Sequence, residues 1–326
     1  MGNSKTMAEV SETLADASHI QAPLIIWHEG MEALGSAACA FGVFDGVHHG
    51  HQFIISRALA DARVRGIGAY IITFDRDPEE QLHPDAPCRK LLSNEDRLSL
   101  LARTGVDGVL VIPFEKGLSG LSPNAFCETV IKSAFPTCFL HTGEDFRYGT
   151  RALGTAATLN NWAHVYGGSL TAHKLYDEEG AAVSATRIRG LLQESQLGEA
   201  TRLLTRPFYL TGIVVEGRRE GSRMGIPTAN LKTAYPAVTL GDGVYGGYVH
   251  VDGLRYRAAI SVGAASTFGV DVFSIEPHLL DFEGDLYGKT ITLYFISYLR
   301  PMKTFDSPEE LKEAIMCDID WTRENL

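Results

Sequence analysis

The chain has 326 residues, enough for two domains that each bury a core, and 45% of it is hydrophobic. Its formal net charge of −11 at pH 7 argues against a general nucleic-acid or membrane-surface binder, whose footprint would be a basic excess. No apolar run approaches the ~18 residues of a spanning helix, and five scattered cysteines (Cys39, Cys88, Cys127, Cys138, Cys317) never fall at Cys-x-x-Cys spacing, which fits a reducing cytoplasm better than a disulfide framework or a structural zinc site.

Residues 1–22 lack the apolar core of a signal peptide and read as a flexible leader. Their opening "MGNSKT" also matches the short myristoylation pattern through Gly2 and Thr6. Up to about residue 200, strand-like runs ("AACAF", "GAYIITF", "GVLVIPF", "TCFLHTG", "SLTAHKL") alternate with helix-like ones ("HQFIISRALADARVR", "NEDRLSLLART", "NAFCETVIKSAF", "TAATLNNWAHVY", "TRIRGLLQES"). That alternation predicts an α/β domain with a parallel sheet covered on both faces. The segment "QLGEATRLLTRP" reads as the last helix of this domain and the crossing into the next.

After residue 206 the style changes to closely spaced strands: "FYLTGIVVEG", "GVYGGYVHV", "LRYRAAISVG", "EPHLLDF" and "TITLYFISYL". Asp252-Gly253 between two of them signals a type I′ hairpin, and the set reads as a small antiparallel barrel. One helix closes the chain, with Ser307 as N-cap, Pro308 at its first position and Glu310 placed to complete a capping box.

Chemistry concentrates first in "AFGVFDGVHHGHQFII", residues 40–55, which runs from a strand through a glycine-bearing loop into a helix. Gly50, His51 and Gln52 then sit near a helix N-terminus, where free N–H groups and the helix dipole favour an anion such as phosphate. Gly42, Gly46 and Gly50 allow close backbone approach to a ligand, and His48 and His51, three apart, can donate to the same oxygens as charge builds. A zinc site completed by a distant residue and a purely structural turn are the rival readings. Further on, Ser184 and Thr186 offer hydroxyls where "TRIRGLL" begins a helix, and Arg187 and Arg189 bring positive charge into an acidic protein.

In the second half, "EGRREGSRMGIPTANL" spaces Gly217, Gly221 and Gly225 four apart, with Arg218, Arg219 and Arg223 in the same loop, and lacks the Gly-Lys-Ser/Thr of a P-loop. Thr228 and Asn230 occupy alternate positions of an extended segment, where their neutral oxygens could join phosphate oxygens around Mg²⁺.

Taken in order, "GVFDGVHHGH", "ITFDRDP" (72–78), "TGEDFRYG" (142–149) and "VSATRIRG" (183–190) resemble the bacterial bifunctional riboflavin kinase/FAD synthetases. "EGRREGSRMGIPTANL", "SIEPHLLDF", "DLYGK" and "LYFISYLR" resemble the kinase half of the same family, and the likeness runs from about residue 23 to 320. Asp77 stands where the family usually has histidine, Ala185 where it has a second serine, Ser261 where it has asparagine and Ser266 where it has proline.

The resemblance implies a Rossmann-like nucleotidylyltransferase domain over 23–200, followed by a riboflavin kinase-like barrel with a C-terminal helix over 207–326. It implies ATP-dependent phosphorylation of riboflavin to FMN, then adenylylation of FMN to FAD with Mg²⁺ as cofactor and pyrophosphate as leaving group. Glu276 falls at the family's catalytic-base position, and His48, His51 and Arg187 become the groups that stabilise the adenylyl-transfer transition state. Gly42, Phe44, Asp45, Gly50, Asp145, Ser184, Thr186, Arg189, Gly217, Gly221, Gly225 and Arg300 become substrate or nucleotide contacts, and Thr228 and Asn230 metal ligands. The partners expected are small molecules, without nucleic acid or membrane. A flavin-binding carrier that has lost turnover is the alternative from another class.

Overall fold

The computed structural model describes residues 21–82, 89–114, 116–178, 180–217, 225–264 and 273–326. The leader with Gly2 and Thr6, the loop positions Arg218, Arg219, Gly221 and Arg223, and Ser266 lie outside them. Packing divides the described chain into two units, residues 21–82 with 94–184 and residues 89–93 with 185–326.

The first unit is built on six parallel strands: β1 (Leu24–Ile26), β2 (Ala37–Phe41), β3 (Gly68–Phe74), β4 (Gly108–Ile112), β5 (Cys138–Gly143) and β8 (Ser169–His173). Their order is β1-β4-β3-β2-β5-β8. β2 and β4 are buried along their whole length, which is why they read as unbroken apolar runs rather than alternating ones. Phe41, Phe74, Leu110, Phe126, Leu140 and Trp162 meet in the main core.

The chain steps outward from β2 to β3 to β4 and then returns to β5 on the other side of β2. This reversal opens a crevice at the carboxyl ends of β2 and β5, the place where open parallel sheets bind ligands. The loop carrying His48 leaves from β2 at that end, and the "GEDF" turn leaves from β5. Two small hairpins, β6 (Arg147–Tyr148) with β7 (Gly154–Thr155) and β9 (Asp177–Glu178) with β10 (Ala181–Ala182), decorate the same unit.

The second unit is a near-closed antiparallel barrel. Its strands β11 (Phe208–Val215), β12 (Asn230–Lys232), β13 (Gly243–Val251), β14 (Leu254–Ala264), β15 (Phe273–Leu279) and β16 (Thr290–Arg300) run in the order β12-β11-β16-β13-β14-β15. Ala229 N–H donates to the Pro277 carbonyl at 2.9 Å and draws the ends β12 and β15 together. Asp252 and Gly253 both take positive φ (51° and 77°) between paired Val251 and Leu254, the type I′ hairpin that the sequence announces.

Two expectations are corrected. The Leu197–Leu204 helix, expected to finish the first domain, packs with the barrel, because its apolar face of Leu197, Ala200, Leu203 and Leu204 is buried beside β11 and β16. The preceding Ala185–Gln193 helix goes with it: Gly241 N–H reaches the Leu192 carbonyl at 3.0 Å, and Ser195 and Tyr245 share a hydrogen bond of 2.9 Å. At the final helix, Pro308–Asn325, Ser307 caps as expected by accepting from Glu310 N–H at 3.2 Å. The capping box is not closed, since the Glu310 carboxylate reaches the N–H of Asp306 instead, at 3.4 Å.

Along one face of the His49–Arg65 helix, Asp61 meets a pair of histidines. His141 Nε2 lies 3.4 Å from Asp61 Oδ2, and His141 Nδ1 lies 3.0 Å from His173 Nε2. Burial lowers the pKa of both rings, with nearby Arg57 adding to the effect at each and Arg65 at His141, while Asp61 opposes it at His141. A histidine held below its unfolded pKa contributes stability that is complete above about pH 6.5 and is lost as the pH falls. The melting temperature of the first unit is therefore expected to fall between about pH 7 and pH 5. His141→Gln, whose amide can keep both hydrogen bonds without titrating, should make that slope shallower when scanned by calorimetry; an unchanged slope would remove His141 from the account.

Candidate functional site

The loop between β2 and the His49–Arg65 helix turns through three left-handed residues, Phe44 (φ 62°), Gly46 (φ 78°) and Val47 (φ 42°). For a β-branched valine this is a costly conformation that persists only when its surroundings enforce it. Gln52 Nε2 donates to the Val47 carbonyl at 3.0 Å and fixes the loop's exit. His48 follows in extended conformation as the N-cap, its Nδ1 accepting from His51 N–H at 3.4 Å. With Nδ1 acting as acceptor, the proton of the neutral His48 ring belongs on Nε2.

The rings of His48 and His51 stack with centroids 3.6 Å apart, so the pair points in one direction, as their spacing suggests. Phe44 is buried and meets His51 edge-on at 5.3 Å. Among the described residues, the His51 Nδ1 atom is buried without a hydrogen-bond partner. Burial first, then the neighbouring His48 and Arg97, hold the His51 pKa well below the ordinary imidazole value. A neutral imidazole still donates through one N–H, and an arriving phosphate would draw its pKa upward.

The glycines make room for the rings. A Cβ at Gly42 would come within 3.1 Å of the Phe44 ring, and one at Gly50 within 3.3 Å of His48. Asp45 is buried in the short 3-10 turn Asp45–Val47, and Asp145 is exposed in the turn after β5. Asp77, in the place of the family's usual histidine, acts as a helix cap: its carboxylate accepts from Glu79 N–H at 3.0 Å and Glu80 returns a bond to its N–H at 3.2 Å. Ser184 ends the first unit, while Thr186, Arg187 and Arg189 lie on the Ala185–Gln193 helix that packs with the second. Arg187 there acts electrostatically on Glu199, after the closer Arg202.

In the barrel, the Glu276 carboxylate on β15 gathers two hydroxyls, accepting from Ser274 at 2.9 Å and from Thr228 at 3.3 Å. Thr228 is held there by its neighbours: His278 Nδ1 donates to the Pro227 carbonyl at 2.8 Å, and Ala229 N–H to that of Pro277. The Asn230 amide lies over Gly217, where a Cβ would come within 2.0 Å of it. Gly225 makes its turn at φ 79°. Arg300 forks its Nε and Nη2 onto Asp318 at 3.0 and 2.7 Å, which fixes the closing helix to β16.

Sequence reasoning missed Ser274, His278 and Arg97. Arg97 carried a signal, since it falls in helical phase with Leu101 on the buried face of the Asn94–Ala102 helix.

Residues 31–187 match the FAD synthetase family and residues 204–326 the riboflavin kinase family. A bifunctional riboflavin kinase/FMN adenylyltransferase from Pseudomonas fluorescens is 34% identical over 280 residues, covering 85% of this chain and 89% of that protein. The chain belongs to the bifunctional riboflavin kinase/FMN adenylyltransferase family. Relatives of the same description from Escherichia coli K12 and Bacillus subtilis 168 are 32% and 30% identical, over 85% and 88% of this chain and 88% and 92% of their own. A solved structure from Streptococcus pneumoniae, described as a macrolide-efflux protein, superposes with a TM-score of 0.79 at 30% identity, covering 93% of this chain and 99% of that one. No helix among the described residues is long and apolar enough to cross a membrane.

This family member makes flavin coenzymes in two steps, phosphorylating riboflavin and then adenylylating FMN. Because Asn230 occupies the space above Gly217, Gly217→Ala should displace the amide and lower FMN formation about 10²-fold. FAD formation from supplied FMN should stay at the wild-type rate, and a variant that phosphorylates riboflavin normally would show that the Gly217–Asn230 contact does not matter.

Proposed function

We propose that the histidine loop of the first unit carries adenylyl transfer while Glu276 of the barrel carries phosphoryl transfer. The observation that supports the first assignment most strongly is the stacked pair His48 and His51, at a helix N-terminus, with a buried ring nitrogen on His51 that has no partner among the described residues. Such an arrangement suits an anion that brings its own acceptors.

In adenylyl transfer an FMN phosphate oxygen bonds to the α-phosphorus of ATP while the bond to the β-phosphate oxygen breaks and pyrophosphate leaves. Charge gathers on the oxygens around the α-phosphorus. His48 and His51 donate to those oxygens. Gly42, Phe44, Asp45 and Gly50 shape the loop, and Asp145, Ser184 and Thr186 offer polar contacts to nucleotide and flavin.

In the barrel the primary hydroxyl of the ribityl chain bonds to the γ-phosphorus of a first ATP, its proton passes to Glu276, and ADP leaves. Ser274 and Thr228 fix that carboxylate. No group of three or more His, Cys, Asp or Glu among the described residues could form a metal cage. The neutral oxygens of Thr228 and Asn230 fit Mg²⁺, which keeps waters and substrate phosphates in its shell and needs few protein ligands. Bound there with ATP, Mg²⁺ would neutralise phosphate charge. Gly217, Gly221 and Gly225 complete the set of nucleotide contacts in this reading. The free thiols Cys39, Cys127 and Cys138, all buried, support a cytoplasmic setting.

With riboflavin, ATP and Mg²⁺, the purified enzyme should show FMN rising and then giving way to FAD by chromatography. Glu276→Gln should lower FMN formation by about 10²–10⁴-fold and leave conversion of supplied FMN intact. His48→Asn or His51→Gln should let FMN accumulate, with adenylylation down about 10²–10³-fold. Equal loss of both products in either variant would contradict the division of labour.

A further inference from the structure

Arg97 is nearly fully buried in the first unit, and none of the roles assigned above uses it. Its Nη1 donates to the Val43 carbonyl at 2.9 Å and to Thr73 Oγ1 at 2.9 Å, and its Nη2 donates to the Phe74 carbonyl at 2.7 Å. Thr73 Oγ1 in turn approaches the Val43 carbonyl at 3.3 Å. Val43 is the residue at which the chain enters the left-handed turn that delivers His48 and His51, and Phe74 is the last residue of β3.

We propose that Arg97 is the positioning residue of the adenylylation site: from inside the unit its guanidinium clamps the outgoing ends of β2 and β3 and holds the histidine loop in the conformation that presents His48 and His51. Gln52 secures the loop at Val47, and Arg97 secures it at Val43. With both ends fixed, a turn containing a left-handed phenylalanine and valine has nowhere to relax.

A planar fork with donors in fixed directions is what this task needs, since two carbonyls on different strands and a hydroxyl must be satisfied at once. The buried cation is balanced by Asp77, Asp45, Glu80 and Asp75, which oppose the effect of burial on it. The groups acting on His51 are His48, stacked on it from the loop, and Arg97 itself, from the neighbouring helix. The guanidinium therefore does two separable things. It fixes backbone geometry through directed hydrogen bonds, and it places a positive charge behind His51.

The inference rests on the reading of His51 as an adenylylation residue, and three variants of the full-length enzyme keep the two apart. Arg97→Lys keeps the charge and loses the fork. It should leave riboflavin phosphorylation as in wild type and lower kcat for FMN adenylylation about 10²-fold with KM values within about twofold. Arg97→Gln removes the charge as well, and the His51 imidazole titration, followed by NMR, should move to higher pH.

Adenylylation by Arg97→Lys within about twofold of wild type would overturn the proposal, as would a first unit that no longer melts cooperatively in that variant, since Arg97 would then be structural only. A His51 titration that stays in place in Arg97→Gln would overturn the electrostatic half. His51→Gln, assayed alongside, isolates the underlying reading: if it adenylylates FMN normally, the role given to His51 fails whatever the Arg97 variants show.

Discussion

A left-handed turn that only its surroundings can hold governs the first half of this enzyme. Phe44 and Val47 occupy backbone conformations that cost about 1–3 kcal/mol each, and the valine is β-branched, the least tolerant type. Hydrogen bonds from a charged donor contribute about 1.5–3 kcal/mol apiece in a buried setting, so Arg97, with Gln52 at the other end, offsets the strain on the scale required. The strand order places this turn at the point where the sheet reverses direction, and the stacking of His48 on His51 follows from where the turn ends. Fold, strain and chemistry meet in five consecutive residues.

The barrel solves a different problem with neutral groups. The Glu276 carboxylate is held by two hydroxyls, and Thr228 is kept in place by bonds from either side of it to β15. No buried cation accompanies Glu276 among the hydrogen bonds of the described residues. Both halves handle phosphate within a chain of net charge −11, so the positive potential that phosphate needs has to be supplied locally rather than by the chain as a whole.

Departures from the family's usual residues have structural partners of their own. Asp77 stands at the start of Pro78–Leu82, its carboxylate accepting from Glu79 N–H and its own N–H donating to the Glu80 carboxylate. Ser261 sits opposite Glu276 in the register of β14 and β15, its hydroxyl directed to the Met302 sulfur at 3.6 Å.

By itself the sequence determined what depends on near neighbours along the chain. Unbroken apolar runs marked the buried parallel strands, helical phase marked the helices, Asp252-Gly253 marked its hairpin, and the spacing of His48 and His51 put two rings on one side of a helix start. Tertiary structure decided who meets whom. The partners of Arg97 lie 23 to 54 residues away, and Arg300 finds Asp318 across 18, so neither set of bonds could be read before the strands were in order. The Ala185–Gln193 and Leu197–Leu204 helices are ordinary amphipathic segments in sequence, and which unit they join depends on which apolar surface lies within reach to bury their faces. Periodicity reports that a face must be covered; it carries no information about what covers it, because burial is rewarded by area and not by address.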